Sequence, residues 1–316
     1  MTYLVTGGTG FIGSHIIRDL VREGEQVVIY DLFPSYYLLE NLLNDRERAC
    51  VVIVQGDVND LPFLIHTAEN NEVDKIIHMV SLLTVACNNN PTLAVRVNCG
   101  GTMNVFETAR ILKLKKVVWA SSIAVFGPQD KYPGKYIPND APHYPFGIYG
   151  ACKSLNEKMT IYYSEQYDMD ISALRYPVVY SRGVASGIVK PLIEGLVENP
   201  AIGKSATVPY GDDIINWLYV DDASLATIML AKAPKTKTRV FNLTGDVRPV
   251  SEVADYVRKL LPGAEIALLP GHVGVSYRYD TALLEEEIGF RLNWPMEKGI
   301  KKLINMVRVE HGLTPV

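Results

Sequence analysis

Cysteine is scarce in this chain. Only Cys50, Cys87, Cys99 and Cys152 occur in 316 residues, and no two stand in CxxC spacing. That pattern excludes a disulfide framework or a zinc ribbon, and predicts small buried apolar side chains in a reducing compartment. His15, His66, His78, His143, His272 and His311 are scattered without metal-ligand spacing, so no metal is expected. No uninterrupted apolar run approaches the ~20 residues that a bilayer span requires, so no membrane partner is expected. Met1-Thr2-Tyr3-Leu4-Val5 enters a strand pattern directly, without a basic region or an apolar leader. The expected location is the cytoplasm, where the sequon Asn242-Leu243-Thr244 is read as chance. Positive charge is not in excess either: 31 Lys and Arg face 35 Asp and Glu, a net −4. Nucleic acid is therefore not an expected partner, because phosphate binding needs clustered basic side chains. The one dense basic stretch, Lys113 to Lys116, is read as a solvated helix end.

What the chain does contain is ordinary globular composition, 48% hydrophobic and 21% charged, at a length that suits two domains or one enlarged α/β domain. Six short β-branched runs (4–6, 26–30, 51–55, 75–79, 116–121 and 171–175) alternate with helical stretches near 12–23, 61–70, 92–112 and 149–167. Near-continuous apolar strands alternating with helices predict a parallel, doubly wound α/β sheet covered on both faces. After about residue 180 Gly and Pro become more frequent and the alternation loosens, although helices remain readable near 219–232, 251–260 and 296–311. The expected division is a cofactor domain over 1–180, with part of 215–245 returning to it, and a smaller C-terminal α/β substrate lobe over 181–316.

Thr6-Gly7-Gly8-Thr9-Gly10-Phe11-Ile12-Gly13 follows the first strand and opens a helix. Gly7, Gly10 and Gly13 form a G-x-x-G-x-x-G turn whose backbone can approach a pyrophosphate, with the amides of Phe11, Ile12 and Gly13 at the positive end of the helix. Asp31 closes the second strand, 18 residues past Gly13. A carboxylate there can accept both ribose hydroxyls of an adenosine and repels a 2′-phosphate, which predicts NAD rather than NADP. Asp57 and Val58 end the third strand at the same sheet edge. Asp57 is read as an adenine contact or a helix N-cap.

Tyr149 and Lys153 form Y-x-x-x-K at the start of a long helix, so phenol and ammonium share one face. An ammonium ~4 Å away at an effective dielectric of ~20 contributes ~4 kcal/mol, enough to draw a phenol from about 10 towards 7, where a general base works well. The buried strand ending in Ser121-Ser122 offers a hydroxyl that could hold a substrate oxygen beside Tyr149. Thr84 lies in a segment that could face the same substrate.

With these residues in place, the chain resembles the extended short-chain dehydrogenase/reductase family, the NAD-dependent sugar epimerases and dehydratases. The resemblance runs through TGGTGFIG at 6–13, Asp31, GDV at 56–58, His78, Asn98, SSIAVFG at 121–127, YGACK at 149–153, LRYPVVYS at 174–181 and WLYVDD at 217–222. It implies a Rossmann domain, with Tyr149 as base and Lys153 lowering its pKa and gripping the ribose. It also implies that Ser122, five residues before Gly127, aligns the substrate. His78 and Asn98 would support the cofactor side, and Tyr176 and Val178 would border the nicotinamide. Related enzymes dimerise through the helices corresponding to 92–112 and 149–167, so a homodimer is expected.

Departures from the family pattern bear on the reaction. Dehydratases place Asp-Glu after the active hydroxyl, where this chain has Ile123 and Ala124, so dehydration is not expected. Ile123 is instead a candidate substrate contact. Epimerases of nucleotide sugars hold the diphosphate with an asparagine and an arginine; the matching residues are Val178 and Ile215. Exchanging both removes charge-assisted bonds of ~1.5–3 kcal/mol each. The segments around 78–84, 121–128 and 174–181 look like those of the family's threonine 3-dehydrogenases. The expected function is hydride transfer to or from a secondary alcohol or carbonyl of a small, non-nucleotide substrate. The alternatives are a nucleotide-sugar 4-epimerase with tightly held NAD, and a non-catalytic NAD-binding protein.

Overall fold

A computed structural model describes residues 1–184 and 187–316. The first 180 residues carry strands β1 (Thr2–Thr6), β2 (Gln26–Asp31), β3 (Val51–Gln55), β4 (Lys75–His78), β5 (Lys116–Ser122), β6 (Ile171–Tyr176) and β7 (Val178–Tyr180). Beyond them come β8 (Ala206–Val208), β9 (Ile214–Tyr219), β10 (Val240–Asn242), β11 (Asp246–Pro249) and β12 (Ile266–Leu268). Seven strands form one sheet in the order β10-β6-β5-β4-β1-β2-β3, every pair parallel. Their apolar runs are explained by burial on both faces: Leu4, Val28 and Ile76 pack into one layer, and Val5, Ile29 and Ile77 into the other. The chain winds outward in both directions from β1 and β4, which leaves a crevice at their C-terminal ends, the usual ligand position in such sheets.

The later half contributes to this sheet. β10 pairs with β6, and the helix Val220–Lys232 packs Ala223, Ala226 and Leu230 against Ile16, Ile17 and Leu20 of the first helix, Phe11–Arg22. Lys75 donates from Nζ to the carbonyl of Ala231 at 2.7 Å, and Lys116 to those of Ala233 and Pro234 at 2.9 and 3.2 Å. Two ammoniums from the strands thus meet the negative end of a helix made much later in the chain. The remaining elements build a second apolar cluster around Trp217, Leu192, Val253 and Ile300, over the β11-β9-β7 sheet and the β12-β8 pair.

The structure departs from the sequence reading in three places. Lys116 is not part of a solvated helix end; it is 2% exposed and pairs with Asp170 at 3.1 Å. Cys50 is exposed, unlike the other three cysteines. The single helix expected near 92–112 is divided: Pro91–Ala94 is α-helical, Val95–Gly101 is a π-helix and Thr102–Leu112 is α-helical again. Among the described residues no helix is long and apolar enough to cross a membrane, and no group of three or more His, Cys, Asp or Glu is placed to hold a metal ion.

Candidate active site

The glycine turn sits at the β1/β4 crevice. Gly7 has φ +68° and donates to the Tyr30 carbonyl at 2.9 Å, which ties the turn to β2. A Cβ on Gly13 would stand 2.3 Å from the Gly7 oxygen, so only glycine lets the helix start this close to the turn. No side chain caps that helix. Its first amides, at Phe11, Ile12 and Gly13, therefore fit an anionic pyrophosphate, and the cradle suits a dinucleotide.

Asp31 is engaged by the turn itself. Its Oδ2 accepts from Thr9 Oγ1 at 2.6 Å and from the Thr9 amide at 3.3 Å, while Oδ1 faces the Phe33 amide at 3.4 Å. Asp57 Oδ1 accepts from the backbone and side-chain nitrogens of Asn59 at 2.9 and 2.8 Å. Asp60, not Asp57, caps the helix Leu61–Asn70, by accepting from the Phe63 amide. Val58 turns its side chain into the core.

Two residues assigned to the cofactor by resemblance spend their side chains inside the protein. His78 is buried, with Nδ1 2.6 Å from Thr6 Oγ1 and Nε2 3.0 Å from Thr102 Oγ1, and burial and the Lys153 charge bring its pKa down to about 3. It is a neutral link between the glycine turn and the helix behind β4, with no ring nitrogen left for a ligand. Tyr176 likewise directs its hydroxyl to Thr227 Oγ1. Asn98, fully buried in the π-helical stretch, accepts from the Leu82 amide at 2.7 Å and donates to the Leu82 carbonyl at 2.9 Å. It fixes the exit of β4, the segment that carries Thr84 in an exposed position. Ile123 is 6% exposed and joins Val125 and Phe126 in a small cluster.

Tyr149, Lys153 and Ser122 do come together. The helix Ile148–Gln166 lies so close to the end of β5 that a Cβ on Gly150 would stand 2.4 Å from the Ala124 oxygen. This approach brings Ser122, whose Oγ accepts from the Ala124 amide at 3.2 Å, to the side of the Tyr149 phenol. The adjacent Ser121 points the other way and donates to Glu157. Lys153 Nζ donates to the Ala120 carbonyl at 2.6 Å and lies 5.6 Å from the centroid of the Tyr149 ring. Burial pushes the phenol up to about 12, against the lowering influence of nearby Ser122, and brings Lys153 down to about 8. The phenol expected near 7 is instead raised by burial, and Lys153, turned onto the Ala120 carbonyl, is not among the groups that lower it.

Sequence reasoning passed over the pair behind this site. Glu157, one turn beyond Lys153, receives Arg175 Nε at 3.0 Å and Nη2 at 2.8 Å, with His143 Nε2 3.2 Å away. Arg175 also donates to the Asn139 carbonyl and to Asn242 Oδ1, at 2.7 and 2.9 Å. The i, i+4, i+8 spacing of Tyr149, Lys153 and Glu157 on one helix face was the available signal.

Comparison with known proteins accords with this geometry. The family model of the NAD dependent epimerase/dehydratase family matches residues 3–244. UDP-glucuronate 4-epimerase 4 of Arabidopsis thaliana is 27% identical over 330 residues, covering 96% of this chain and 74% of that protein. The solved L-threonine dehydrogenase of Phytophthora infestans is 26% identical with a TM-score of 0.86, covering 99% and 100% of the two chains. A UDP-glucose 4-epimerase of Thermus thermophilus, solved with NAD, has a TM-score of 0.82 at 23% identity, covering 98% and 99%, a likeness of fold. A glycine cradle for a dinucleotide, a Ser–Tyr–Lys group beside it and a family match over most of the length agree that this chain is an NAD-dependent enzyme and belongs to the NAD-dependent epimerase/dehydratase family.

Proposed function

We propose that the protein oxidises or reduces a secondary alcohol or carbonyl on a small substrate that is not a nucleotide sugar, with NAD preferred over NADP. The observation that carries the substrate reading is the pairing of Val178 and Ile215. Both are buried in one apolar cluster with Trp217 and Leu196, where the family pattern for nucleotide sugars has an amide and a guanidinium. Likeness to the Phytophthora infestans L-threonine dehydrogenase supports the same reading, and the Arabidopsis thaliana relatives support the epimerase alternative.

In the proposed mechanism NAD, when bound, supplies the hydride acceptor and a positive ring. Gly7, Gly10 and Gly13 with the amides of Phe11, Ile12 and Gly13 hold its pyrophosphate, Asp31 an adenosine ribose, and Asp57 with the Val58 amide the adenine end. Tyr176 and Val178 border the nicotinamide through their backbone, His78 and Asn98 support the floor, and Lys153 reaches the second ribose. Ser122 orients the substrate oxygen, and Tyr149 takes its proton during oxidation and returns it during reduction. Thr84 and Ile123 flank the substrate. The division into a 1–180 cofactor domain, with 215–245 returning to it, and a 181–316 substrate lobe belongs to this proposal. So do a cytoplasmic location and a homodimer. The exposed Leu93, Val95, Leu155, Ile161 and Tyr162 on the two helical segments concerned support the dimer.

The test is a direct comparison of L-threonine with UDP-glucuronate and UDP-glucose. Net formation of NADH on L-threonine or another small alcohol is the expected result. Epimer formation without net NADH, or saturable binding of UDP, would overturn the substrate reading. Tyr149→Phe should lower turnover by ~10²–10⁴-fold while NAD still binds; unchanged turnover would remove Tyr149 from the mechanism.

A further inference from the structure

Thr9 lies inside the glycine turn, 5% exposed, and reaches across to the end of β2. Its hydroxyl has one proton, and that proton is given to Asp31 Oδ2 at 2.6 Å. Its amide approaches the same oxygen at 3.3 Å. A carboxylate oxygen has two lone-pair directions, so both on Oδ2 face the turn. On Oδ1 the Phe33 amide makes one long contact at 3.4 Å, and one direction stays open. In this arrangement Asp31 does not grip two ribose hydroxyls with one oxygen each.

We infer that Thr9 is a positioning residue for cofactor selection: by holding Oδ2 it locks Asp31 so that Oδ1 alone meets the adenosine ribose. The inference rests on the reading of Asp31 as the ribose acceptor. A locked carboxylate presents a fixed negative charge to anything carried on that ribose. It cannot rotate away from a 2′-phosphate, and it need not be ordered when a ribose hydroxyl arrives. The Gly7 amide on the Tyr30 carbonyl, at 2.9 Å, ties the same two segments one residue earlier, so the turn and the end of β2 move as one piece. An unlocked carboxylate would bind NAD more weakly while leaving NADP, which gains nothing from the lock, nearly unchanged.

Calorimetric dissociation constants for NAD and NADP test this without any turnover. Thr9→Val keeps the β-branched shape and removes the hydroxyl. It should weaken NAD about tenfold, leave NADP within about twofold, and so reduce the preference about tenfold. Thr9→Ser should restore both constants to within about twofold of the starting protein. Should the valine variant not fold, as read by circular dichroism, Thr9→Ala replaces it with the same expectation. Unchanged constants, or equal weakening of both cofactors, would overturn the inference. Asp31→Ala separates the two layers. If it weakens NAD while the Thr9 variants do not, only the locking role fails; if it leaves NAD binding intact, the ribose reading fails and takes the inference with it.

Discussion

Replacing Glu157 with glutamine removes one charge from the buried pair behind the active site while keeping nearly the same shape. Both side chains are shielded, at 3% exposure for Glu157 and 6% for Arg175. Burial alone would raise the Glu157 carboxyl, but the His143 hydrogen bond and the Arg175 charge outweigh it and hold it at about 2 against an ordinary 4.5. That displacement corresponds to about 3 kcal/mol of stability. Stranding Arg175 without its counter-charge costs a similar amount, ~3–5 kcal/mol. Because the folded value is depressed, the contribution is complete above the ordinary 4.5 and is lost as pH falls towards 2. Urea unfolding followed by tryptophan fluorescence should show Glu157→Gln weaker by about 3 kcal/mol at pH 7, with about half of that gap gone at pH 3. Replacing both Glu157 and Arg175 by methionine should restore most of the loss, since no buried charge is then left alone. A gap below about 1 kcal/mol at pH 7, or one that is identical at pH 7 and pH 3, would refute the reasoning. So would a double variant weaker than the single one.

Other expectations concern turnover. Oxidation needs the Tyr149 phenol deprotonated and reduction needs it neutral, and burial holds it high at about 12. Initial rates should therefore rise from pH 6 to pH 8 for oxidation, whereas reduction, for which the phenol is already neutral over this range, should stay flat; equal rises in both directions would contradict the assignment. Above about 8 the Lys153 ammonium is progressively lost, so the oxidation profile should flatten there, and Lys153→Met should lack that break. Gly150→Ala places a methyl 2.4 Å from the Ala124 oxygen and 3.0 Å from Pro145 Cβ. The helix must move, which should cost ~1–3 kcal/mol in unfolding experiments and at least about tenfold in turnover; wild-type turnover would show that the approach of the helix to Ser122 is not needed.

The parallel sheet was legible because strands covered on both faces must be apolar runs, and Gln26–Asp31 and Lys116–Ser122 carry that mark plainly. The π-helical stretch was not legible. The wider turn at Val95–Gly101 leaves the apolar pattern nearly helical, and Asn98 lies fully buried within it. The Tyr149–Lys153–Ser122 group could be read from spacing, but the direction of Lys153 Nζ could not, since a carbonyl one strand away at Ala120 competes for it. Arg175 sits within an apolar strand and Glu157 within a polar helix, so neither stands out alone. Their pairing joins residues 18 positions apart in sequence, a relation created only when β6 lies beside β5. Thr9 was hidden for a simpler reason: glycines around it drew the reading to the backbone.

The two lysines that fasten onto the end of the helix Val220–Lys232 bear on how this enzyme is made. Lys75 and Lys116 sit at the starts of β4 and β5, yet their acceptors Ala231, Ala233 and Pro234 are synthesised more than a hundred residues later. On the ribosome, a nascent chain that ends near residue 180 therefore holds a nearly complete sheet with two inward-facing ammoniums and no carbonyls to receive them. At ~5–20 residues per second that interval lasts several seconds. A fragment cut near residue 180 would lack those acceptors permanently and keep only the Lys116–Asp170 pair. The last strand and its helix act as a closing seal on a structure begun at the other end of the gene.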